Sequence, residues 1–206
     1  MQNQIQEMRL FSKGGHRLYL SAAERRLFLD AATDEKREDR IYCHVLHYTG
    51  CRPSEALELT PRRILLDSHE IVLRSLKKRR YDTQGRQKQP QYRCVPIIGS
   101  LTDQMDLVFE LRRGSRRDER LWSMSRSTAW RVVKRVMNRA GIEGPQATAK
   151  GLRHGFGIAM LSGQKPLPLN VLRDLMGHTD TKTTEIYLQA IGYEKRNLVM
   201  QAWNDQ

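Results

Sequence analysis

The chain has 206 residues, a length that suits one domain and allows a sizeable buried core. Its 36 Lys and Arg outnumber 23 Asp and Glu, giving a formal net charge of +13, the balance of a protein that draws in polyanions in a salt-sensitive way. Three cysteines (Cys43, Cys51 and Cys94) without a Cys-x-x-Cys pair favour a reducing compartment, and no apolar run approaches the roughly 20 residues of a bilayer span. The opening Met1-Gln2-Asn3-Gln4-Ile5 has no basic start followed by an apolar stretch, so the expectation is a cytoplasmic protein that touches no membrane.

In chain order, residues 1–20, with Lys13-Gly14-Gly15, read as a mobile lead-in, and residues 21–206 as one domain. Ser21 and Glu24 have capping-box spacing ahead of a first helix with Leu27, Phe28 and Ala31 on its apolar face. A second helix is predicted over about 40–48, stopped by Gly50, and Pro53 opens a short third one. Ile64-Leu65-Leu66, Glu70 to Arg74 and Tyr92 to Pro96 then read as three short antiparallel strands. The last two are joined by the polar, basic stretch from Lys77 to Gln91. Helical patterns resume over about 101–112, 127–140, 152–161, 169–176, 181–190 and 194–203. The fold class is therefore mainly α with a small three-stranded antiparallel sheet.

Five segments carry candidate chemistry. Arg52, in Thr49-Gly50-Cys51-Arg52-Pro53-Ser54-Glu55, projects from the corner between a helix stop and a helix start. A guanidinium fixed there can fork onto two phosphate oxygens. Lys77 opens a basic run, Lys77-Lys78-Arg79-Arg80, which on its own is a solvated or phosphate-tracking surface. Lys150 and Arg153 lie three apart at a helix entry and can share a face. His178 follows Gly177, a natural helix stop, and Tyr187 lies in the next predicted helix. Read singly, His178 is a turn residue and Tyr187 a packed aromatic. His154 reads as a packed helix histidine, and His44 and His47 as core and surface residues rather than a metal pair.

Taken in order, these segments resemble the catalytic domain of the tyrosine recombinases, the phage integrase family, from about Ser21 to Trp203. The resemblance implies that Tyr187 is the nucleophile, with Tyr193 the second choice. It makes Arg52 and Arg153 a phosphate clamp, Lys150 and His178 hydrogen-bond donors to it, and Glu55 a brace for the arginines. Lys77, preferred to Lys78, would be the hairpin lysine that protonates the leaving 5′-oxygen. Lys150 departs from the commoner histidine, which removes that position as a neutral-pH proton acceptor and leaves it as a donor and a charge.

No cofactor and no metal are implied. The partners implied are double-stranded DNA with paired inverted half-sites and further copies of the chain, assembling on DNA from dimer to tetramer through the segment 194–203. A source in the bacterial nucleoid or a mobile genetic element would suit such a protein. Residues 1–20 are too few for the separate N-terminal domain that usually precedes this one. A type IB topoisomerase-like relaxing enzyme is the nearest alternative. A non-cutting DNA-binding protein on the same fold is the second, although every expected position holds a workable residue.

Overall fold

The structure is a computed structural model in which residues 9–76, 89–113, 118–163, 165–188 and 203 are described. The helices are α1 (Ala22–Ala32), α2 (Arg37–Thr49) and the one-turn α3 (Pro53–Ala56). The strands β1 (Ile64–Leu65), β2 (Glu70–Arg74) and β3 (Tyr92–Pro96) follow. Then come α4 (Gly99–Phe109), α5 (Arg126–Arg139), α6 (Ala149–Ser162) and α7 (Leu169–Met176), and residues 182–188 are helical (α8). No helix among the described residues is long and apolar enough to cross a membrane.

Local chemistry accounts for the boundaries. The Ser21 hydroxyl accepts from the Glu24 N–H and the Glu24 carboxylate accepts from the Ser21 N–H, so the expected capping box starts α1. Helix α2 begins earlier than the apolar spacing predicts, because Glu38 and Asp39 occupy its first turn, where negative charge meets the positive end of the helix dipole. Helix α4 ends sooner than expected: Glu110 turns left-handed (φ 50°), and the Asp106 carboxylate accepts from the Arg112 N–H in the 3₁₀ turn that follows. The sheet has the expected order β1-β2-β3, with Ile71 opposite Val95 and Leu73 opposite Arg93.

The core lies between α1, α2, α5 and α6, where Phe28, Ile41, Val45, Leu46, Val136, Met137 and Leu152 are buried, and it reaches Ile71, Leu73 and Val95 on one face of the sheet. A second cluster joins α6 and α7 through Ile158, Leu161, Leu172 and Met176. It also takes in Leu10 and Tyr19, from the segment that precedes α1. That segment folds back on itself with Phe11 bridged to Arg17, and the Leu20 N–H donates to the Gly151 carbonyl at 3.1 Å. Its apolar residues cover α6, which the glycines in Lys13-Gly14-Gly15 did not signal.

Lys77 and Lys78, Tyr193 and, apart from Trp203, the predicted helix over 194–203 lie outside the described residues. His44 and His47 stack edge-on against Tyr48. Cys43 and Cys51 are buried free thiols, and Cys94 is exposed.

Candidate active site

Arg52 sits at the N-cap of α3, and its position follows from the turn before it. Gly50 closes α2 in the left-handed conformation (φ 57°), and a Cβ there would stand 2.4 Å from the Phe156 ring, so both the backbone and the packing require glycine. Pro53 then starts α3, and Glu55 reaches back. One carboxylate oxygen accepts from the Arg52 N–H at 3.0 Å and the other from its guanidinium at 2.9 Å. Glu55 is fully buried, whereas about a quarter (24%) of the Arg52 side chain stays accessible.

Arg153 enters from α6. Its guanidinium donates to the Gly50 carbonyl at 2.6 Å and to the Met176 carbonyl at 2.7 Å, tying the Arg52 turn to the end of α7. These main-chain bonds hold an arginine that is only 6% exposed. Burial, reinforced by the neighbouring charge of Arg52, brings its pKa down to about 10, still cationic at neutral pH. Lys150, one turn earlier, is exposed at the start of α6.

His178 follows the left-handed Gly177 that caps α7. Its Nδ1 is 2.9 Å from the Thr184 hydroxyl, and its ring stacks on Tyr187 at 6.3 Å and 13°. Burial and then the charge of Arg153 push its pKa down to about 2, so the ring is neutral, and its Nε2 is buried without a partner.

Tyr187 is wholly buried in the second cluster. A Cβ on Gly157 would stand 2.7 Å from its Cζ, so a glycine on α6 makes the space for the ring. Its hydroxyl is 3.1 Å from His154 Nδ1. Burial pushes the phenol up to about 12 against the opposing pull of Arg153 and Arg52. His154, read from sequence as a packed helix residue, is packed and is also the polar partner of the nucleophile candidate.

Four of the six predicted residues thus meet: Arg52, Arg153, His178 and Tyr187. Lys150 stands at the rim, and Lys77 is outside the described residues. One participant was not predicted. Arg93 on β3 donates to the Glu55 carboxylate at 2.6 Å and to the Leu175 carbonyl at 2.8 Å. Its signal was available in the alternation of β3, since Arg93 occupies the same face as the buried Val95, where an apolar residue is expected. Burial alone would raise the Glu55 pKa, but the hydrogen bonds and charges of Arg93 and Arg52 together outweigh it and hold the carboxyl below its usual range. Two guanidinium groups therefore hold one carboxylate while Arg153 lies within electrostatic reach of it, and the site keeps an excess of positive charge suited to an anion.

A sequence model of the phage integrase family matches residues 19–191, which include all of these positions. The chain belongs to the phage integrase family. Among relatives in this family, the tyrosine recombinase XerA of Thermococcus onnurineus (strain NA1) is 27% identical over 175 residues, covering 82% of this chain and 56% of its own. The crystal structure of XerA recombinase superposes with a TM-score of 0.68 at 23% identity, covering 87% of this chain and 64% of that one. The post-cleavage complex of the XerH site-specific recombinase bound to palindromic difH substrate superposes with a TM-score of 0.70 at 20% identity, covering 93% of this chain and 54% of that one. The fold is that of the family's catalytic domains, and the chain spans little more than half the length of the XerA relative.

Proposed function

We propose that this chain cleaves and rejoins DNA as the catalytic part of a site-specific recombinase. The observation that carries the reading is the cluster of Arg52 and Arg93 on the Glu55 carboxylate with Arg153 tied to the adjoining Gly50 carbonyl, and with Tyr187 and His178 beside them. A phosphodiester brings one negative charge, which such a cluster accommodates, and a guanidinium has five N–H donors to offer it. The Tyr187 oxygen bonds to phosphorus as the phosphorus–O5′ bond breaks. The bonding pair leaves on O5′, which takes up a proton, and the phenol proton is lost to base. The products are a 3′-phosphotyrosyl link and a 5′-hydroxyl, and attack by a partner strand's 5′-hydroxyl reverses the step. Arg52 and Arg153 stabilise charge on the non-bridging oxygens. Lys150 and His178 donate to them, and Lys77 protonates O5′.

Double-stranded DNA with paired inverted half-sites is the substrate, and copies of the chain assemble on it through the segment 194–203. The compartment is the cytoplasm. Deleting residues 194–206 removes cooperative binding to paired half-sites and spares binding to one.

A nicked duplex that loses its short 5′-hydroxyl fragment after cleavage traps the covalent link. The unaltered protein accumulates a protein–DNA adduct on it and Tyr187→Phe does not. Binding without any adduct would identify a non-cutting DNA-binding protein, and relaxation of supercoils by isolated protomers would identify a topoisomerase-like activity.

A further inference from the structure

Arg93 stands opposite Leu73 in the sheet register, on the face that carries the buried Ile71, Leu73 and Val95. Its side chain is only 8% exposed. An arginine is costly in such a place unless its donors are used, and here they are. One terminal nitrogen donates to Glu55 Oε2 at 2.6 Å, Nε donates to the Leu175 carbonyl at 2.8 Å, and the other terminal nitrogen is 3.4 Å from the Ser75 hydroxyl.

These partners belong to separate arms of the site. Glu55 uses its other oxygen to hold the Arg52 guanidinium, and Leu175 lies in the last turn of α7, just before Gly177 and His178. A second observation is independent of the hydrogen bonds. A Cβ at Gly177 would stand 2.8 Å from an Arg93 terminal nitrogen and 3.0 Å from its Cζ. The glycine that caps α7 is therefore also the space into which the guanidinium fits.

We propose that Arg93 is a positioning residue that holds the Arg52–Glu55 pair and the Gly177–His178 turn in one fixed relation. This rests on the recombinase reading above. A planar fork reaches two acceptors that face it from different directions, whereas an ammonium on a flexible stem keeps the charge and loses the geometry. Misplacing a reacting group by about 1 Å costs on the order of 10²-fold in rate.

The test compares Arg93→Lys and Arg93→Gln with the unaltered protein on two nicked duplexes. One has an ordinary scissile phosphate. The other has a methylphosphonate, whose neutral centre develops less charge and so depends less on where Arg52 stands. The rate ratio between the two substrates is taken within one preparation, so any loss of folded protein cancels.

The expected result is adduct formation slowed about 10²-fold on the phosphate, with a defect about tenfold smaller on the methylphosphonate. DNA affinity stays within a few-fold, because Arg93 is shielded from solvent. A normal rate on phosphate, or an equal loss on both substrates, overturns the proposal. Absence of adduct from the unaltered protein overturns the recombinase reading and this inference with it. Adduct from the unaltered protein with an unchanged ratio in the variants overturns this inference alone.

Discussion

The Tyr187 hydroxyl lies 3.1 Å from Nδ1 of His154, and both side chains are buried in the fold. Burial, helped by the charges of Lys150 and Arg153, brings the imidazole down to about 3, and burial carries the phenol up to about 12. Both groups are therefore neutral at pH 7, and each is the hydrogen-bond partner the other has inside the cluster. Replacing His154 with Leu leaves the hydroxyl buried without its partner, at a cost of about 1–3 kcal/mol. A double-mutant cycle of His154→Leu with Tyr187→Phe, followed by urea denaturation, is expected to show a coupling of about 0.5–3 kcal/mol. Strict additivity of the two single changes would mean that the contact contributes nothing.

Acid should weaken the fold before the carboxylates titrate. His47, His154 and His178 have folded pKa values of about 4, 3 and 2, all lowered chiefly by burial from 6.5. A depressed folded pKa means that the unfolded chain takes up protons the folded one refuses. The stability these groups give is present above pH 6.5 and is lost as pH falls toward the folded values. Each contributes up to about 1.4 kcal/mol per pH unit over that window. Between pH 6.5 and 5 the denaturation free energy should fall with a slope of one to three protons, and His154→Leu should remove one of them. A flat profile over this range would show that the imidazoles are not held neutral.

Gly157→Ala tests the seat of the tyrosine ring. The new methyl would stand 2.7 Å from Tyr187 Cζ in a cluster without slack, so overpacking should cost about 1–3 kcal/mol. Adduct formation on the nicked duplex should fall as well. Unaltered melting together with unaltered cleavage would place the ring elsewhere during the reaction.

Lys150 is exposed at the rim of the site, one turn before Arg153. If it donates to the phosphate, Lys150→Ala slows cleavage by about 10² to 10³ and Lys150→His restores much of the loss. Rapid-quench rates of adduct formation decide this. Cleavage by Lys150→Ala at the unaltered rate would remove the residue from the mechanism.

The leaving-group role is tested by chemistry rather than by position. Replacing the bridging 5′-oxygen with sulfur makes a leaving group that needs no proton, so the defect of Lys77→Ala should disappear on that substrate. Rescue of Lys78→Ala in its place would move the role by one residue.

What the sequence by itself determined is the set of features that depend on near neighbours. The Ser21–Glu24 box, the stop at Gly50, the period-2 runs of β2 and β3 and the cap at Gly177 are each written within a few residues, and each is found where that local chemistry puts it. Arg52, Arg153, His178 and Tyr187 stood out as candidates for a related reason, since each sits in a short and distinctive segment. Only the tertiary structure decided the partnerships. Arg93 meets Glu55 across 38 residues of chain, and Arg153 meets the Gly50 carbonyl across 103. Nothing in the local pattern of β3 says which carboxylate will face an inward arginine, because that depends on how α3, α6 and α7 pack around the sheet. The same holds for residues 9–20, whose glycines read as freedom while Leu10 and Tyr19 are buried beside Tyr187. Local propensity places the elements along the chain, and burial of charge and apolar surface between distant elements builds the site.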